Sequence, residues 1–324
     1  MTPTALAVTE QFRPEFENRW QVEYQQMIAR TSGCYESYAV TGEFREFPLL
    51  AKTNSVRRLT KRFEETAPED ISTGKRRVTT TPHLSPLIFD RKDLMKFGTL
   101  ESPIPKSIEN QRAETARNQD MTVVGVAGQP GGLIGQAINV DENGIVSYPE
   151  FDDAAYTIPV NYRYGVANGA NSGMSYDKLT HLKTRLAKFN VRSQDSTTNN
   201  PSGMCLLLGY SQIEDLIQDV KLRNRDEASA LLEQIADGEI KDVLGFTVRA
   251  LDDDLLPFDE QTGIRTCIAF AKNGVAFGYN EMPNHELDVL PTKTHSVQSV
   301  FYFDWGMARV WDQAVWKVPC QEVA

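Results

Sequence analysis

The sequence lacks most of the patterns by which membrane, exported and redox proteins are recognised. It contains no run of about 18 consecutive apolar residues, so we predict no membrane-spanning helix. The start, "MTPTALAVTEQFRPEF", has neither a basic first segment nor an apolar core, which argues against an export signal. The cysteines lie far apart, at Cys34, Cys205, Cys267 and Cys320. This usage is typical of buried thiols in a reducing compartment, and we expect the cytoplasm.

Glycine-rich and acidic segments that might bind phosphate or metal are incomplete. The loop "GQPGGLIG" lacks the Lys-Ser/Thr pair that reaches phosphate and magnesium, so we interpret it as a flexible bend. The segment "DENG" (141–144) has its glycine at the wrong place for a calcium loop and no glutamate at the twelfth position. The run "DDD" (252–254) is typical of a solvated acidic turn.

Catalytic signatures are missing as well. The histidines, His83, His181, His285 and His295, have no metal-ligand spacing, and His285-Glu286 lacks the second histidine of a zinc protease helix. No G-x-S-x-G elbow occurs, which argues against an α/β-hydrolase. We therefore predict no catalytic residue, no cofactor and no metal site.

The composition is that of a protein with a substantial core. The chain has 324 residues, of which 40% are hydrophobic, enough for two or three compact regions. Its net charge of −10 gives no global case for nucleic-acid binding.

Charge is distributed unevenly along the chain. Residues 45–96 hold twelve Lys and Arg against seven Asp and Glu, whereas residues 211–262 hold five against fourteen. Such runs are commonly solvated faces. The alternative is that the basic region of one copy contacts the acidic region of a neighbouring copy.

An aromatic stripe near the start predicts a helix over residues 12–30. Phe12, Phe16, Trp20, Tyr24 and Met27/Ile28 recur at spacings of three and four, and Pro14 suits a first helical turn. The stripe is narrow, and two interpretations stay open: it packs on the chain's own core, or it packs on a partner subunit or assembly factor.

Residues 34–97 are predicted to be extended. The segment "RRVTTTPHLSPLIF" is rich in Thr and contains Pro82 and Pro86, and the polar stretch before it has few large apolar residues. Such a stretch cannot bury enough surface to hold itself in place. We expect a long hairpin whose tip projects from the body.

Helices follow at two places. The segment after Pro105 predicts a long, mostly polar helix with a thin apolar edge that includes Ile108, Ala113 and Ala116. Residues 174–189 predict a second helix, with Ser175 as its N-cap.

The second half of the chain predicts alternating short elements. Residues 201–219 predict a strand buried on both faces, then a helix capped by Ser211 with Glu214 three positions on. The dipeptide Asn273-Gly274 predicts a hairpin of two short strands within 266–280. The closing segment predicts long strands joined near Asp304–Gly306.

One segment in this half carries no readable chemistry and is sharply punctuated. In "ASALLEQIADGEIKDVLGFTVRAL" (228–251) a helix ends at Asp237-Gly238, and a strand begins at Gly245-Phe246. Gly238 and Gly245 are interpreted as chain reversals that shape a wedge of short elements.

The order of these pieces resembles the major capsid proteins of tailed bacteriophages. The resemblance extends from about residue 12 to 320 and is most specific over 201–251. There, "SGMCLLLGYSQIEDLIQD" is similar to the family's buried strand and polar-capped helix. "LLEQIADGEIKDVLGFTVRAL" is similar to its helix, G-x-I turn and x-G-F-x-V strand entry.

The resemblance implies an α+β phage major-capsid shell fold. Its parts would be an N-terminal arm at 1–32, an extended β-hairpin loop at 33–100, a peripheral domain and an axial domain at 175–280. The peripheral domain would comprise residues 101–174 and 281–324, with a spine helix at 104–122.

The resemblance also implies a function without catalysis. Copies would assemble as hexamers and pentamers into an icosahedral virion shell around double-stranded DNA, built in the host cytoplasm. The absence of a charged coiled coil ahead of the arm leads us to expect a separate scaffolding protein. Portal and decoration proteins are further expected partners, while sequence-specific DNA contact and membrane association are not expected.

Inter-subunit contact is expected to use the arm and the extended loop. The candidate residues are Phe16, Trp20, Arg57, Arg58, Lys61, Arg62, Lys75, Arg76 and Arg77. The basic residues would dock on acidic groups of an adjacent subunit.

Three alternatives stay open at this point. A bacterial nanocompartment shell uses the same fold and would enclose protein instead of DNA. A minor or decoration protein of a virus would differ in copy number. An unrecognised α+β hydrolase would be a small oligomer with turnover.

Overall fold

The computed structural model describes residues 25–50, 73–90, 104–166, 169–189, 191, 203–223, 242–293 and 295–322. Within these ranges there are four α-helices and fourteen strands, and the strands form three sheets. None of the helices described there combines the length and the apolar character that a membrane crossing requires.

The first sheet, which we name the long sheet, has the strand order β1-β12-β13-β4. Its central strands, β12 (Val275–Leu290) and β13 (Ser296–Arg309), pair antiparallel over almost their whole length. The edges are β1 (Glu36–Ala39), parallel to β12, and β4 (Thr81–Phe89), antiparallel to β13.

The predicted spine helix is present as α1 (Ile104–Val124), and it packs on one face of the long sheet. Gln111 is buried there and donates to the backbone oxygens of Ser85 and Ser299 at 2.8 and 3.2 Å. Further along, the Trp305 indole donates to Asn118 at 3.1 Å. Several polar side chains of this mostly polar helix are thus buried or partly buried. They are hydrogen-bonded to groups of the sheet beneath, as buried polar groups require.

The second sheet has six strands, in the order β10-β11-β7-β9-β8 with β14 beside β11. Its strands are β7 (Met204–Leu208), β8 (Asp242–Val243), β9 (Phe246–Ala250), β10 (Phe258–Asp259), β11 (Ile264–Ala271) and β14 (Val315–Gln321). All five residues of β7 are buried, which confirms the prediction of a strand covered on both faces.

Three helices accompany this sheet: α2 (Asp153–Tyr156), α3 (Tyr176–Lys188) and α4 (Tyr210–Arg223). The N-cap of α3 is confirmed, since the Ser175 side chain accepts from the Lys178 amide at 3.4 Å.

The predicted Ser211 cap is wrong, because α4 already begins at Tyr210. The position ahead of it is Gly209, and the Tyr210 amide donates to Asp253 of a distant segment at 3.4 Å. A carboxylate supplied by tertiary structure therefore replaces the local cap.

The third sheet is built on the predicted hairpin at the base of the extended loop. Strands β2 (Phe44–Leu50) and β3 (Thr73–Thr79) pair antiparallel, and β3 also pairs with β5 (Asn139–Val140). The last strand, β6 (Val146–Ser147), pairs with β5. The tip between β2 and β3 lies outside the described residues.

Two strand predictions in the last third of the chain are wrong. The segment 266–280 is not a hairpin, because β11 lies in the six-stranded sheet and β12 in the long sheet, with a short 3-10 turn between them. The chain also does not turn at Asp304–Gly306, which lies inside β13. Instead, β12 and β13 are joined after Leu290, and the chain leaves β13 to continue as β14.

The predicted chain reversal at Gly245 is confirmed, whereas Gly238 lies outside the described residues. Leu244 and Gly245 have φ of 52° and 82° and form the two-residue turn between β8 and β9. Of the helix predicted over 12–30, only residues 25–30 are described, and these are not helical.

The glycine-rich segment after α1 is a packed corner and not a flexible bend. Leu133 and Ile134 are buried within it, and the Gly132 amide donates to the Met307 oxygen at 2.8 Å. Gly125 ends α1 with φ of 76°, and a Cβ there would lie 2.6 Å from the Gly132 Cα. The close approach of two backbones explains the glycines without any ligand.

We predict that Gly125→Ala destabilises the chain by about 2 kcal/mol more than Gly128→Ala. Both residues have a positive φ, 76° and 78°, but nothing lies within 4 Å of a Cβ at Gly128. Alanine adds left-handed strain at both sites and a steric overlap at Gly125 alone. Urea unfolding of the unassembled chain measures the difference, and equal losses for the two variants would refute the packed-corner account.

A second prediction concerns Lys178, whose ammonium is buried without an ion pair in the described structure. It donates to the backbone oxygens of Ser172 and Pro319 at 2.7 and 2.9 Å, and burial lowers its pKa. The unfolded chain therefore binds one more proton between the lowered pKa and the ordinary lysine value of about 10.4. Across that window the free energy of unfolding rises with pH and falls again as pH is lowered.

Urea unfolding at pH 8, 9 and 10 tests this dependence. The wild-type chain should gain stability with pH relative to Lys178→Met, which lacks the titrating group. Lys183→Met is the matched control, since Lys183 also donates to a carbonyl, that of Leu244 at 3.0 Å, but remains partly exposed. Parallel pH profiles for wild type and Lys178→Met would contradict the assignment.

Candidate functional site

The described residues hold no arrangement that suggests metal chemistry. In the ranges that the structure covers, no group of three or more His, Cys, Asp and Glu side chains is placed to bind a metal ion. Three histidines have packing roles: His83 stacks on Phe303, His181 lies on Tyr162, and His285 contacts the Ser299 hydroxyl at 3.0 Å. The surfaces of the chain are therefore the candidate functional site.

The base of the extended loop is fixed by a buried ion-pair network. Arg76 on β3 is buried and pairs with Asp312, whose other oxygen accepts from Arg309 Nε at 2.6 Å. Arg309 is itself buried and donates to the backbone oxygens of Leu133 and Gly135. Burial lowers the pKa of Arg76, an effect that Asp312 opposes. One carboxylate thus ties the loop, the glycine corner and the end of β13 together.

The other two predicted contact residues on β3, Lys75 and Arg77, are paired within the hairpin. Lys75 and Arg77 both contact Glu46 on β2, at 3.2 and 2.8 Å, and these contacts lower the pKa of Glu46. Arg77 also lies over the Phe44 ring, 3.8 Å from its centroid. The structure thus engages Lys75, Arg76 and Arg77 with acidic groups of their own chain, and only Lys75 keeps half of its side chain exposed.

The remaining predicted contact residues lie outside the described residues. They are Phe16, Trp20, Arg57, Arg58, Lys61 and Arg62. Their role at a subunit contact stays a prediction.

The end of the predicted arm, residues 26–31, is held on α1 by one buried carboxylate, Asp120. Its Oδ1 accepts from the Thr31 amide and hydroxyl at 3.0 and 2.5 Å. Its Oδ2 accepts from the Arg30 amide at 2.9 Å and from Gln26 Nε2 at 2.5 Å. Four donors satisfy a fully buried charge, so the connection between arm and spine helix is specified at this residue.

Arg30 extends this connection to the six-stranded sheet. Its guanidinium donates to the Ala250 backbone oxygen at 2.9 Å and to the Tyr210 hydroxyl, and it lies 3.6 Å from Asp252. The segment 26–31 therefore bridges the helix on the long sheet and the start of α4.

On the face of the long sheet that points away from α1, β4 and β12 expose side chains of two kinds, while Val300 of β13 between them is buried. Ser85, Ser299 and Trp305 contact α1, so the alternate residues of β4, β12 and β13 lie on the opposite face. We name this opposite face the strand face. In register order its rows are Leu84, Tyr302 and Asn284; Pro86, Val300 and Glu286; Ile88, Gln298 and Asp288.

The strand face combines an apolar column with an acidic one. Leu84, Pro86 and Ile88 are exposed on β4, and Glu286 and Asp288 are exposed on β12. None of the nine residues in these three described rows is basic. An exposed apolar strip beside uncompensated acidic groups is typical of an interaction surface for a basic partner.

Sequence reasoning missed most of these functional side chains. Asp120 has no local motif, since its partners lie about 90 positions away, and Asp312 combines the nearby Arg309 with Arg76, which is 236 positions away. The acidic column on β12 is visible as the alternation of Glu286 and Asp288 in "HELDVL", which is the signal that could have found it.

Comparison with known proteins identifies the architecture. At 12% identity and a TM-score of 0.66, the chain is similar to the capsid of cyanophage Pam1, with 97% of each chain covered. The head of Helicobacter pylori bacteriophage KHP40 matches at 11% identity and a TM-score of 0.66, covering 99% of this chain and 98% of that one. The capsid of cyanophage P-SCSP1u matches at 12% identity and 0.62, covering 100% and 99%. The predicted α+β capsid shell fold is confirmed.

The sequence itself also places the chain in a family. No curated protein matches it. A family model described as "Phage capsid protein" matches residues 8–322, nearly the whole chain. The match favours a major capsid protein that associates with itself into the virion head shell, a structural and non-enzymatic role, over the nanocompartment and hydrolase alternatives. The chain belongs to the phage capsid protein family.

Proposed function

We propose that copies of this chain assemble as hexamers and pentamers into an icosahedral shell around double-stranded DNA. The axial domain, residues 175–280, would surround the symmetry axes. Strand β14 falls in the predicted peripheral range, 281–324, but it pairs with β11 over seven residues, so we assign it to the axial domain. The arm at 1–32, the loop at 33–100 and the peripheral domain, residues 101–174 and 281–324, would contact neighbouring copies. Assembly would take place in the host cytoplasm with separate scaffolding, portal and decoration proteins.

The proposed shell holds DNA without gripping it. The net charge of −10 supports this, because a strongly basic inner wall would bind phosphates and hinder the movement of DNA during filling. No sequence-specific DNA contact is proposed.

The strand face is the observation that carries the proposed contact between copies. The basic tip of the extended loop, which includes Arg57, Arg58, Lys61 and Arg62, would dock on the strand face of a neighbouring copy. Glu286 and Asp288 supply the complementary charge there, and Leu84 and Ile88 supply apolar area that the described part of its own chain leaves open.

The edge of the long sheet favours contact through side chains over addition of a strand. Pro82 and Pro86 both lie on the edge strand β4, opposite Asp304 and Val300 of β13. Proline has no amide hydrogen, so neither residue can donate to a strand added at this edge. The neighbouring loop would therefore lie across the face and not extend the sheet.

Charge reversal at both partners tests the docking. We expect the loop variant Arg57→Glu, Arg58→Glu, Lys61→Glu, Arg62→Glu to fold but to lower particle yield by about tenfold or more. Each exposed pair contributes about 0–1 kcal/mol, and many pairs act together in a shell. The face variant Glu286→Lys, Asp288→Lys should fail in the same way, and combining the two should restore particles. Negative-stain microscopy with quantified yield is the measurement.

A matched control distinguishes the strand face from the acidic region 211–262 as the receiving surface. Asp254→Lys, Glu260→Lys makes the same charge change at two exposed acidic residues of that region. It should leave the yield unchanged and should not rescue the loop variant. Rescue by this control, or normal particles from the loop variant alone, would overturn docking on the strand face.

A separate prediction concerns the connection between arm and spine helix. Asp120→Asn keeps the shape of the side chain but removes the charge that accepts four hydrogen bonds. We expect hydrogen exchange at the Arg30 and Thr31 amides to accelerate by about 100-fold, since bonds to a buried charge are stronger than neutral ones.

Particle yield should fall in parallel, because a loosened arm grips its neighbour less often. Glu114→Gln is the control on the same helix, where an exposed acid accepts from the Ser85 hydroxyl at 2.7 Å. Unchanged exchange in Asp120→Asn would show that the carboxylate does not hold this segment.

A further inference from the structure

The four cysteines are buried and reduced, and they form two neighbouring pairs that the proposed assembly does not use. In the first pair, the Cys205 thiol donates to the Cys34 carbonyl oxygen at 3.7 Å. In the second, Cys267 and Cys320 lie two positions apart in register on β11 and β14, since Cys267 pairs with Val318 and Arg265 with Cys320. Residues far apart in sequence thus bring the four cysteines together in two pairs.

We propose that Cys34 and Cys205 form an intramolecular disulfide when the virion leaves its reducing host, and that Cys267 and Cys320 stay reduced. The bond would join the segment just before β1 to the central strand β7 of the six-stranded sheet. Cys34 lies three residues after Thr31, which Asp120 holds on α1. The crosslink would therefore fix the root of the arm and the loop to the second sheet.

The surroundings of the first pair distinguish it from the second. Arg249 and Lys272 lie near Cys34, and the hydrogen bond from Cys205, together with Arg249, lowers the pKa of Cys34 to about 7. The same contact and burial raise the pKa of Cys205. Cys267 is fully buried, and the contact with Cys320 and desolvation raise its pKa well above the ordinary value. A thiolate is the reactive species, so Cys34 is the attacking sulfur, whereas Cys267 stays protonated and unreactive.

The reaction is a two-electron oxidation that a small diazene oxidant such as diamide supplies. The Cys34 thiolate adds to one nitrogen of the N=N bond, and the other nitrogen takes a proton. Cys205 then loses its proton and attacks the Cys34 sulfur, forming the S–S bond and breaking the S–N bond. The hydrazine leaves with the two electrons and two protons that the thiols have lost. In the environment of a released virion, molecular oxygen or a small disulfide would serve as the oxidant.

Such a bond would be absent during assembly and present afterwards. The host cytoplasm keeps thiols reduced, so subunits would fold and rearrange without it. Closing a loop of about 170 residues restricts the unfolded chain strongly, so the bond would stabilise the folded subunit. The inference rests on the proposed capsid function only for when oxidation takes place, at release from the host. Formation of the bond itself can be tested in the isolated chain.

The experiment uses the purified full chain, unassembled and as particles, exposed to diamide and then alkylated and digested without reduction. Mass spectrometry should find one disulfide, between Cys34 and Cys205, and two alkylated cysteines, Cys267 and Cys320. The melting temperature should rise by several degrees and return on treatment with dithiothreitol. The initial rate should increase as pH is raised through about 7, as the Cys34 thiolate forms.

Cysteine variants and oxidative refolding complete the test, since burial of the thiols can slow their reaction with diamide. Cys34→Ser and Cys205→Ser should abolish the bond and the thermal shift, while Cys267→Ser should retain both. Refolding the reduced, denatured chain in a glutathione redox buffer removes the barrier of access. Four free thiols after both treatments, or a disulfide between any other cysteines, would overturn the proposal. Because the bond is scored in the unassembled chain, failure to form particles does not affect the result.

Discussion

The antiparallel pairing of β12 with β13 is the interaction on which the rest of the structure depends. The two strands have 16 and 14 residues and pair from Val275 opposite Arg309 to Leu290 opposite Ser296. Successive side chains of a strand point to opposite faces, so β13 contacts α1 on one face and contributes to the strand face on the other. The chain enters β12 from β11 and leaves β13 towards β14, and both of those strands belong to the six-stranded sheet. The position of one sheet relative to the other is thus fixed by covalent connection as well as by packing.

Two carboxylates, the buried Asp120 and the partly exposed Asp312, attach residues 26–31 and strand β3 to this frame. Asp120 accepts four hydrogen bonds from residues 26–31, and Asp312 joins Arg76 of the loop to Arg309 of β13. A buried charge contributes little net stability when it is paired, but removing one partner leaves the other uncompensated and costs about 3–5 kcal/mol. Such contacts therefore favour one arrangement over its alternatives more than they add stability. In the proposed assembly, this suits a subunit whose arm and loop leave the body in a defined direction to reach a neighbour.

The sequence predicts the elements whose signals are local and fails where tertiary contacts decide. The α3 helix and its Ser175 cap, the buried strand β7 and the turn at Gly245 follow from periodicity, capping and glycine conformation. The Asn-Gly at 273–274 gives the same signal as a hairpin turn, yet the flanking strands pair with β7, β14, β1 and β13 and not with each other. The local sequence pattern does not indicate which sheet a strand joins. The candidate site divides in the same way: basic character is visible in composition, whereas the pairing of Arg76 with Asp312, 236 positions later, is not.

In the proposed assembly, the strand face gives a folded subunit a surface through which it can associate. Leu84 and Ile88 are about half exposed, at 57% and 48%, although both lie on a strand that pairs with the central strand β13. Burying a few such side chains yields only part of the energy that a stable pairwise complex needs, and exposed ion pairs add about 0–1 kcal/mol each. A single contact of this kind is therefore weak and reversible, and misplaced subunits can dissociate. Closure of a shell changes the balance, because each subunit then makes several such contacts at once and each contact raises the effective concentration for the next. Weak faces on a rigid frame thus allow correction during assembly and give a particle that is stable once it is complete.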